Sequence, residues 1–472
     1  MATPASKRAR RPARAKLQAA SAPSARPAPH PWVSRFFQPV DAASLAVFRV
    51  AFGALMLWHS LQYLLGGRLQ RQYLAPAFHF TFPGFEWVRP GPPEVLWAVF
   101  WGLAACAVLI ALGVASRAAC ALFFLGYGYV FLLDPAYYQN HTYLICLLAL
   151  LLAVVPAHRT LALGTRRARR ADLVPAWALW LLCFQVAVPY VGGGLAKLNR
   201  DWLLRAEPIG LWLREGTEGP FRAAFLGERW AAYGFAWGGV LYDLLIVPAL
   251  LWRRTRPAAF VVSVVFHLWN SRLFSIGVFP WVMIAGTLLF FPPDWPRRVR
   301  LLRRARSQPA AERAVPRPAA GRRRAVLAFL ACWVGLQLLL PFRHLLYPGT
   351  VDWTEEGHRF GWRMKLRDKR GTLRFVAVDR RTGETHPLDA AQAVLTERQR
   401  QMMLHDPDMI REFARFVGEG LAGTGYGPIE VRAITSISLN ARPRQPMIDP
   451  EVDLAAQPRP RGAAPWIVPL RD

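Results

Sequence analysis

The sequence predicts a polytopic α-helical membrane domain followed by a mainly β external domain. Three observations support this fold class. The chain of 472 residues is 53% hydrophobic although its formal net charge is +29. Long apolar runs alternate with short arginine-rich blocks. From residue 343 onward the long apolar runs stop and basic and acidic residues are nearly balanced, as in a soluble domain.

Apolar runs of the length that crosses a hydrocarbon core of ~30 Å recur along the first three quarters of the chain. We predict about nine spans, and some of them are short for a full crossing. The predicted spans are 42–64, 94–113, 117–133, 141–157, 175–197, 231–252, 257–275, 278–293 and 324–342.

The basic residues predict the orientation of these spans, because cytoplasmic connections are enriched in Lys and Arg. With the N-terminus in the cytoplasm, the blocks 166–170, 253–256 and 297–324 all fall inside. Nine spans then place the C-terminal domain outside, in a periplasm or lumen. The domain boundaries follow as a basic, disordered tail over 1–38, a membrane domain over 39–342 and an external domain over 343–472.

A net charge of +29 in a soluble protein would suggest a nucleic-acid partner. Here the arginine blocks lie between apolar spans, so orientation and contact with anionic lipid headgroups explain them. We therefore expect the lipid bilayer as a partner and no nucleic acid.

The external domain shows strand patterns and one helical pattern. Residues 372–379 and 429–437 alternate as strands do, and 381–383 form a turn between strands. Residues 408–417 have helical spacing of apolar side chains. We predict a β-sandwich with a small helical insert.

Cysteine and histidine spacing predicts no metal site. The five cysteines all lie in predicted spans and none is spaced as C-x-x-C. The ten histidines include no H-x-x-x-H or H-E-x-x-H motif. We expect the cysteines to be small apolar packing residues.

Ionisable residues inside spans are costly, so they are candidates for function. Lys197 and His141 both lie at the predicted outer boundary, where they can face one cavity. A desolvated Lys197 beside small glycines can lose its proton and act as a base, or it can extend its ammonium to the headgroups. His267 lies inside the seventh span. Arg49 and Asp243 are expected to form structural ion pairs, and one option is that they pair with each other.

Nine segments of the chain resemble the vitamin K-dependent γ-glutamyl carboxylase family, which includes bacterial members with a related membrane domain. The resemblance covers roughly residues 40–470. The matching segments are Asp41–Arg49, Tyr129–Asp134, Asn140–Leu144, Gly194–Trp202, Phe266–Gly277, Asp294–Arg297, Trp362–Met364, Ile448–Asp453 and Trp466–Leu470.

The resemblance implies the chemistry. A reduced naphthoquinone, vitamin K or menaquinol, is deprotonated by a lysine, reacts with O2 and ends as an epoxide. The oxygenated quinone is the base that takes a γ-proton from a peptide glutamate, and the carbanion adds CO2. By resemblance Lys197 is the lysine base, and His141 with Asn140 stabilises developing charge in the same site.

The resemblance also adds four residues to the quinone pocket. His267 and Asn270 belong to a family motif, and Trp362 and Met364 close the pocket from the external side. No metal is implied.

The chain departs from the animal enzymes in several places. Ala196 replaces a second lysine before the catalytic one, and Lys365 replaces a methionine after Met364. Residues 343–472 lack the cysteine of the animal disulfide, and the extra C-terminal sequence is absent. These differences leave two alternatives open: a quinol epoxidase or oxidase without carboxylation, and a non-enzymatic membrane protein that binds a ligand.

Overall fold

The computed structural model describes residues 31–163, 172–215, 226–273, 276–299, 318–423 and 428–471. Within these ranges an apolar helix corresponds to each of the predicted runs. The helices are α1 Ala43–Leu64, α2 Pro93–Leu112, α3 Ser116–Leu132, α4 Asn140–Val154, α5 Ala176–Ala196, α6 Arg229–Leu251, α7 Arg256–Leu273, α8 Phe279–Thr287 and α9 Ala320–Leu339.

Nine spans are not confirmed. In the described part of the chain five helices are long and apolar enough to cross a membrane: α1, α2, α5, α6 and α9 with its continuation to Leu346. Helix α3, helix α4 and the segment Phe279–Phe290 are apolar but shorter. Helix α7 has 18 residues, but polar side chains such as His267 and Asn270 lower its hydropathy. Residues 1–30 of the predicted disordered tail lie outside the described residues, and Pro31–Phe36 form a short helix.

Helices α1 and α2 pack closely because of a glycine. A Cβ added at Gly53 would lie 2.5 Å from the backbone nitrogen of Ala111 and 2.8 Å from the carbonyl oxygen of Ala107. No larger side chain fits without moving one helix. The turn after α2 is completed by Gly113, whose φ of 75° is in the left-handed region that glycine adopts without strain.

The predicted pairing of Arg49 with Asp243 is wrong. Arg49 is fully buried and donates to the carbonyl oxygens of Ala111 at 2.8 Å, Leu161 at 2.6 Å and Ala157 at 3.3 Å. The last carbonyls of a helix have no partner within it and carry partial negative charge. A guanidinium at the end of α2 satisfies them, so Arg49 needs no carboxylate there.

The external domain contains one three-stranded antiparallel sheet in the order β4-β3-β5, in which β3 is Lys369–Asp379, β4 is Thr385–Leu388 and β5 is Ile429–Leu439. Both predicted strands are confirmed. The predicted β-sandwich is wrong, because a helix covers the sheet where a second sheet was expected. This helix, α11 Pro407–Ala422, buries Phe413 with its ring 5.4 Å from that of Phe375.

The remaining elements are short. Helix α10 spans Glu397–His405, and β1 Pro39–Asp41 pairs with β2 Leu173–Pro175 at the opposite end of the bundle. Further short helices are Arg200–Leu204, Ile209–Glu215, Trp295–Arg298, Val351–Thr354 and Ala390–Val394.

The external domain is packed onto the ends of the membrane helices. Phe80 and Ala136, from connections in the membrane domain, are buried in the core of the external domain. Gln399 donates to Asp134 at 2.8 Å, and Arg442 forms two hydrogen bonds with Asp201 at 2.6 and 2.8 Å. These contacts hold the external domain over the ends of the membrane helices. We call the part of the external domain that faces the helices the roof.

Candidate functional site

A cavity of about 660 Å³ lies beneath this roof, and we call it the apolar cavity. Helices α4 to α8 and the external domain all contribute to its lining. Among its lining residues are Lys197, Asp243, His141, Asn140, His267, Asn270 and Met364, and its walls include Trp202, Trp212, Phe235, Phe266 and Phe279. The structure therefore brings six of the seven predicted site residues to one cavity.

Lys197 is held at the end of α5. Its backbone N–H donates to the carbonyl of Gly193 at 3.2 Å and closes the last turn of the helix. The side-chain nitrogen lies 5.5 Å from the centroid of the Trp202 ring and forms an ion pair with Asp243. The two side chains are 11% and 8% exposed, so the pair is shielded from solvent.

The glycines at 192–194 make this arrangement possible. At Gly194 an added Cβ would lie 2.7 Å from Leu244 Cδ2, so α5 and α6 can approach only without one. At Gly193 it would lie 3.4 Å from both Asp243 Oδ2 and Met364 Cε. The small residues beside Lys197 therefore allow α5 and α6 to approach closely, and this approach brings the Asp243 carboxylate to Lys197.

His267 is almost completely buried, and only one ring nitrogen is satisfied by the described residues. Its Nε2 is 2.7 Å from the hydroxyl of Tyr190, and that hydroxyl is 3.3 Å from the hydroxyl of Ser263. Its Nδ1 has no hydrogen-bond partner within the described part of the chain. An unsatisfied buried polar atom costs about 1–3 kcal/mol, so a polar group of a bound molecule would be favoured at this nitrogen.

His141 lies in the first turn of α4. Its ring stacks on Phe279 with centroids 5.8 Å apart and planes 29° apart. The same Phe279 ring is 6.0 Å from the His267 ring, so one phenyl group lies against both histidines. Asn140 accepts a hydrogen bond from the hydroxyl of Tyr138 at 3.0 Å. The start of α4 thus presents polar groups at an otherwise apolar wall.

The external domain supplies the charged roof of the apolar cavity. Arg363 pairs with Asp352 at 2.8 Å, and Arg367 pairs with Glu355. Both arginines line the cavity and each has a carboxylate partner, although Glu355 is shared between Arg367 and Lys369.

Burial changes the pKa values of two further residues of the roof, His358 and Lys365. Burial lowers the pKa of His358 well below its ordinary range, and the nearby Arg367 adds to this. His358 is therefore neutral at pH 7. Burial also lowers the pKa of Lys365, which makes it a second lysine to compare with Lys197.

Trp362 occupies a different position from the other predicted residues. It is 1% exposed and packs behind the cavity, with its ring 5.3 Å from that of Tyr143 and its Cβ 3.1 Å from the Cβ position at Gly192. Of the two residues expected to close the pocket, Met364 lines the cavity and Trp362 does not.

Sequence reasoning missed two features of the site. Asp243 was recognised as an ionisable residue within a span, but its partner depends on the contact between α5 and α6. Lys365 attracted attention only as a departure from a motif. The signal available for both was the same: a charged residue in or beside an apolar segment.

Comparison with known families covers most of the chain. A model described as the HTTM domain matches residues 37–295, and one described as the vitamin K-dependent gamma-carboxylase lumenal domain matches residues 322–472. No solved structure matches the chain significantly. Lys197, Asp243, His141 and His267 lie in the first matched region, and Met364 and Lys365 lie in the second. The apolar cavity is therefore built from both matched regions.

Proposed function

Because the chain belongs to the vitamin K-dependent gamma-carboxylase family, we propose that it is a naphthoquinol-dependent glutamyl carboxylase. In this reaction, epoxidation of the quinol by O2 is coupled to addition of CO2 at a glutamate of a peptide or protein. The observation that supports this most directly is the buried Lys197–Asp243 pair in an apolar cavity beneath the lumenal domain.

The apolar cavity suits a reduced naphthoquinone, vitamin K or menaquinol. Its volume of about 660 Å³ is within the range of small-molecule sites, and Trp, Phe and Tyr side chains make up nine of its lining residues. The unsatisfied Nδ1 of His267 offers a hydrogen bond to a hydroxyl of the ring system. The residues present therefore fit the cofactor.

Lys197 and Asp243 are proposed to work together as the proton acceptor for a quinol hydroxyl. Their hydrogen bond allows a proton taken up by the lysine to be shared with the Asp243 carboxylate. Shielding from water limits exchange of this proton with solvent.

A γ-proton of glutamate is far too weakly acidic for any side-chain base at neutral pH, so the strong base must come from the cofactor. The reduced quinone supplies it when bound, through its reaction with O2. The protein's own contribution is then orientation, proton exchange at Lys197 and exclusion of water. His141 and Asn140 are proposed to stabilise negative charge at the start of α4, where helix amides also point.

Two glycines of α6 offer a route for the prenyl side chain of the quinol. Gly234 and Gly238 are one turn apart on the lining of the apolar cavity, and a Cβ at either would meet no atom within 4 Å. Trp230 and Trp269 beside them are 63% and 51% exposed on the lipid-facing side. The prenyl chain of the quinol can lie in this open groove on α6 and extend into the bilayer.

We expect Gly238→Leu to raise the KM for a long-chain menaquinol about tenfold, because a side chain placed in the groove overlaps the prenyl chain. A naphthoquinol without a prenyl chain should keep its KM within twofold. The measurement is epoxide formation against quinol concentration. Gly102→Leu is the matched control, since Gly102 also has open space around it but lies on α2 away from the cavity. An equal effect of Gly238→Leu on both quinols would contradict the route.

The proposed function is tested with purified full-length protein, reduced naphthoquinone, bicarbonate and a glutamate-containing peptide. Epoxide and fixed CO2 are measured separately, and both are expected. Epoxide without carboxylated peptide would contradict the carboxylase and favour a quinol epoxidase. Neither product from folded protein would contradict both enzymes and leave a ligand-binding protein.

A further inference from the structure

A second cavity of about 710 Å³ lies beside the apolar cavity, and we call it the polar cavity. The C-terminal end of α1, the connection after it, helix α3 and the start of α10 in the external domain contribute to it. Two residues, Gln139 and His141, line both cavities in the described part of the chain. The polar cavity thus reaches the same histidine as the quinol site from another direction.

The lining of the polar cavity differs in chemistry from that of the apolar cavity. It includes the tyrosines Tyr63, Tyr73, Tyr127 and Tyr137 and the polar side chains of Gln72 and Thr142. These hydroxyl and amide groups can donate and accept hydrogen bonds, so the polar cavity can bind a polar ligand.

The polar cavity also carries excess positive charge. Arg68, Arg71 and Arg398 line it, against one acidic residue, Glu397. That carboxylate already accepts a hydrogen bond from Arg400 at 2.6 Å. No ion pair to Arg68 or Arg398 is formed by the residues that the structure describes, whereas the roof arginines of the apolar cavity are paired. The surplus cations favour an anionic ligand.

His59 gives an independent indication of a ligand. It is 4% exposed and lines the polar cavity, where its Nε2 is 3.0 Å from the hydroxyl of Tyr127. Its Nδ1 is buried and has no hydrogen-bond partner within the described ranges. A polar ligand in the cavity would relieve the cost of this unsatisfied atom.

We propose that the polar cavity binds the glutamyl side chain of the peptide substrate, with Arg68 and Arg398 recognising its carboxylate. This inference rests on the proposed function, which it extends by naming the peptide site. The peptide then enters from the aqueous side between the external domain and α1, while the quinol enters from the bilayer. Because Gln139 and His141 line both cavities, the glutamate and the quinol would lie next to each other at these two residues.

The test is binding of a fluorescein-labelled peptide with a single glutamate to the full-length protein in nanodiscs, without quinol and in bicarbonate-free buffer. Arg398→Gln is expected to raise the Kd about tenfold to a hundredfold, because a charge-assisted hydrogen bond is lost. Arg68→Gln should act in the same direction. Arg398→Lys should restore part of the affinity. The same peptide with glutamine in place of glutamate should bind weakly to all proteins.

Arg415→Gln is the matched control, since it removes the same charge from an exposed position on α11 where Arg415 pairs with Glu419 at 2.9 Å. Its Kd should equal that of the unchanged protein. Unaltered glutamate-peptide binding by both Arg398→Gln and Arg68→Gln would overturn the peptide site. So would an equal loss for the glutamate and glutamine peptides.

The peptide-binding measurement requires no turnover, so it can fail separately from the proposed function. Carboxylation by the unchanged protein together with arginine-independent binding would leave the function standing and remove only this site. Arginine-dependent binding without carboxylation would support the site and count against the carboxylase.

Discussion

Replacement of Lys197 by alanine is expected to lower epoxide formation about 10²- to 10⁴-fold, the usual contribution of a positioned acid–base group. Lys197 is the amine that faces both the apolar cavity and the Asp243 carboxylate. Without it, no amine at this position can take a proton from the quinol. The measurement is the initial rate of epoxide formation at saturating quinol and neutral pH.

The control for Lys197→Ala is the second lysine of the apolar cavity. Lys365→Ala removes an amine from the roof, where the nitrogen lies 5.2 Å from the centroid of the Trp212 ring. It should reduce the rate less than tenfold. A larger loss of rate in Lys365→Ala than in Lys197→Ala would identify Lys365 as the base instead.

A loss of catalysis must be distinguished from a loss of folding in this experiment. Lys197→Ala leaves the Asp243 carboxylate buried without its cation, which destabilises the protein. Lys197→Gln retains a hydrogen-bond donor and provides a second variant without a base. Both should melt as cooperative transitions by tryptophan fluorescence. If either folded variant keeps a near-normal epoxidation rate, Lys197 is not the base.

Hydropathy and charge alone predicted where the helices lie, because a helix in lipid must be apolar along its own sequence. They did not settle the number of spans. Helix α7 carries polar groups toward the cavity, whereas α3 and α4 are apolar but shorter than a full span. Hydropathy records composition but not which side of a helix meets protein, so a helix such as α7, with a polar side toward a cavity, falls below the composition of a lipid-exposed span.

The tertiary partners of the charged residues could not be predicted from a single sequence. Asp243 is 46 positions from Lys197, and their meeting depends on a glycine contact between two helices. Arg49 was expected to need an acid, but helix-end carbonyls satisfied it. In the external domain, alternation identified strands, but it carried no information on whether a sheet or a helix would cover them.

For the motif residues, the predicted topology supplied their common location, and the resemblance supplied the roles proposed for them. Lys197 and His141, 56 positions apart in sequence, line one cavity as expected from their shared membrane depth. Trp362 shows the limit of that approach, since it lies behind the cavity wall. Their chemical roles remain proposals that the substitutions above test.

Asp243→Asn is expected to reduce epoxide formation about 10²-fold, because the amide cannot hold the proton that Lys197 exchanges with the quinol. The more informative result is the double variant. If Lys197 and Asp243 act as one unit, Lys197→Ala combined with Asp243→Asn should lose no more activity than Lys197→Ala alone. The measurement is the same epoxidation rate for the unchanged protein, both single variants and the double variant.

Asp172→Asn provides the matched control, since Asp172 pairs with Arg297 at 3.3 Å at the opposite end of the helix bundle. It makes the same acid-to-amide change at a membrane-domain ion pair, and its epoxidation rate should stay within about twofold of normal. Losses that multiply in the Lys197 and Asp243 double variant would mean that the two side chains act independently. In that case the carboxylate would only position the lysine, and the proton would have to leave Lys197 by another route.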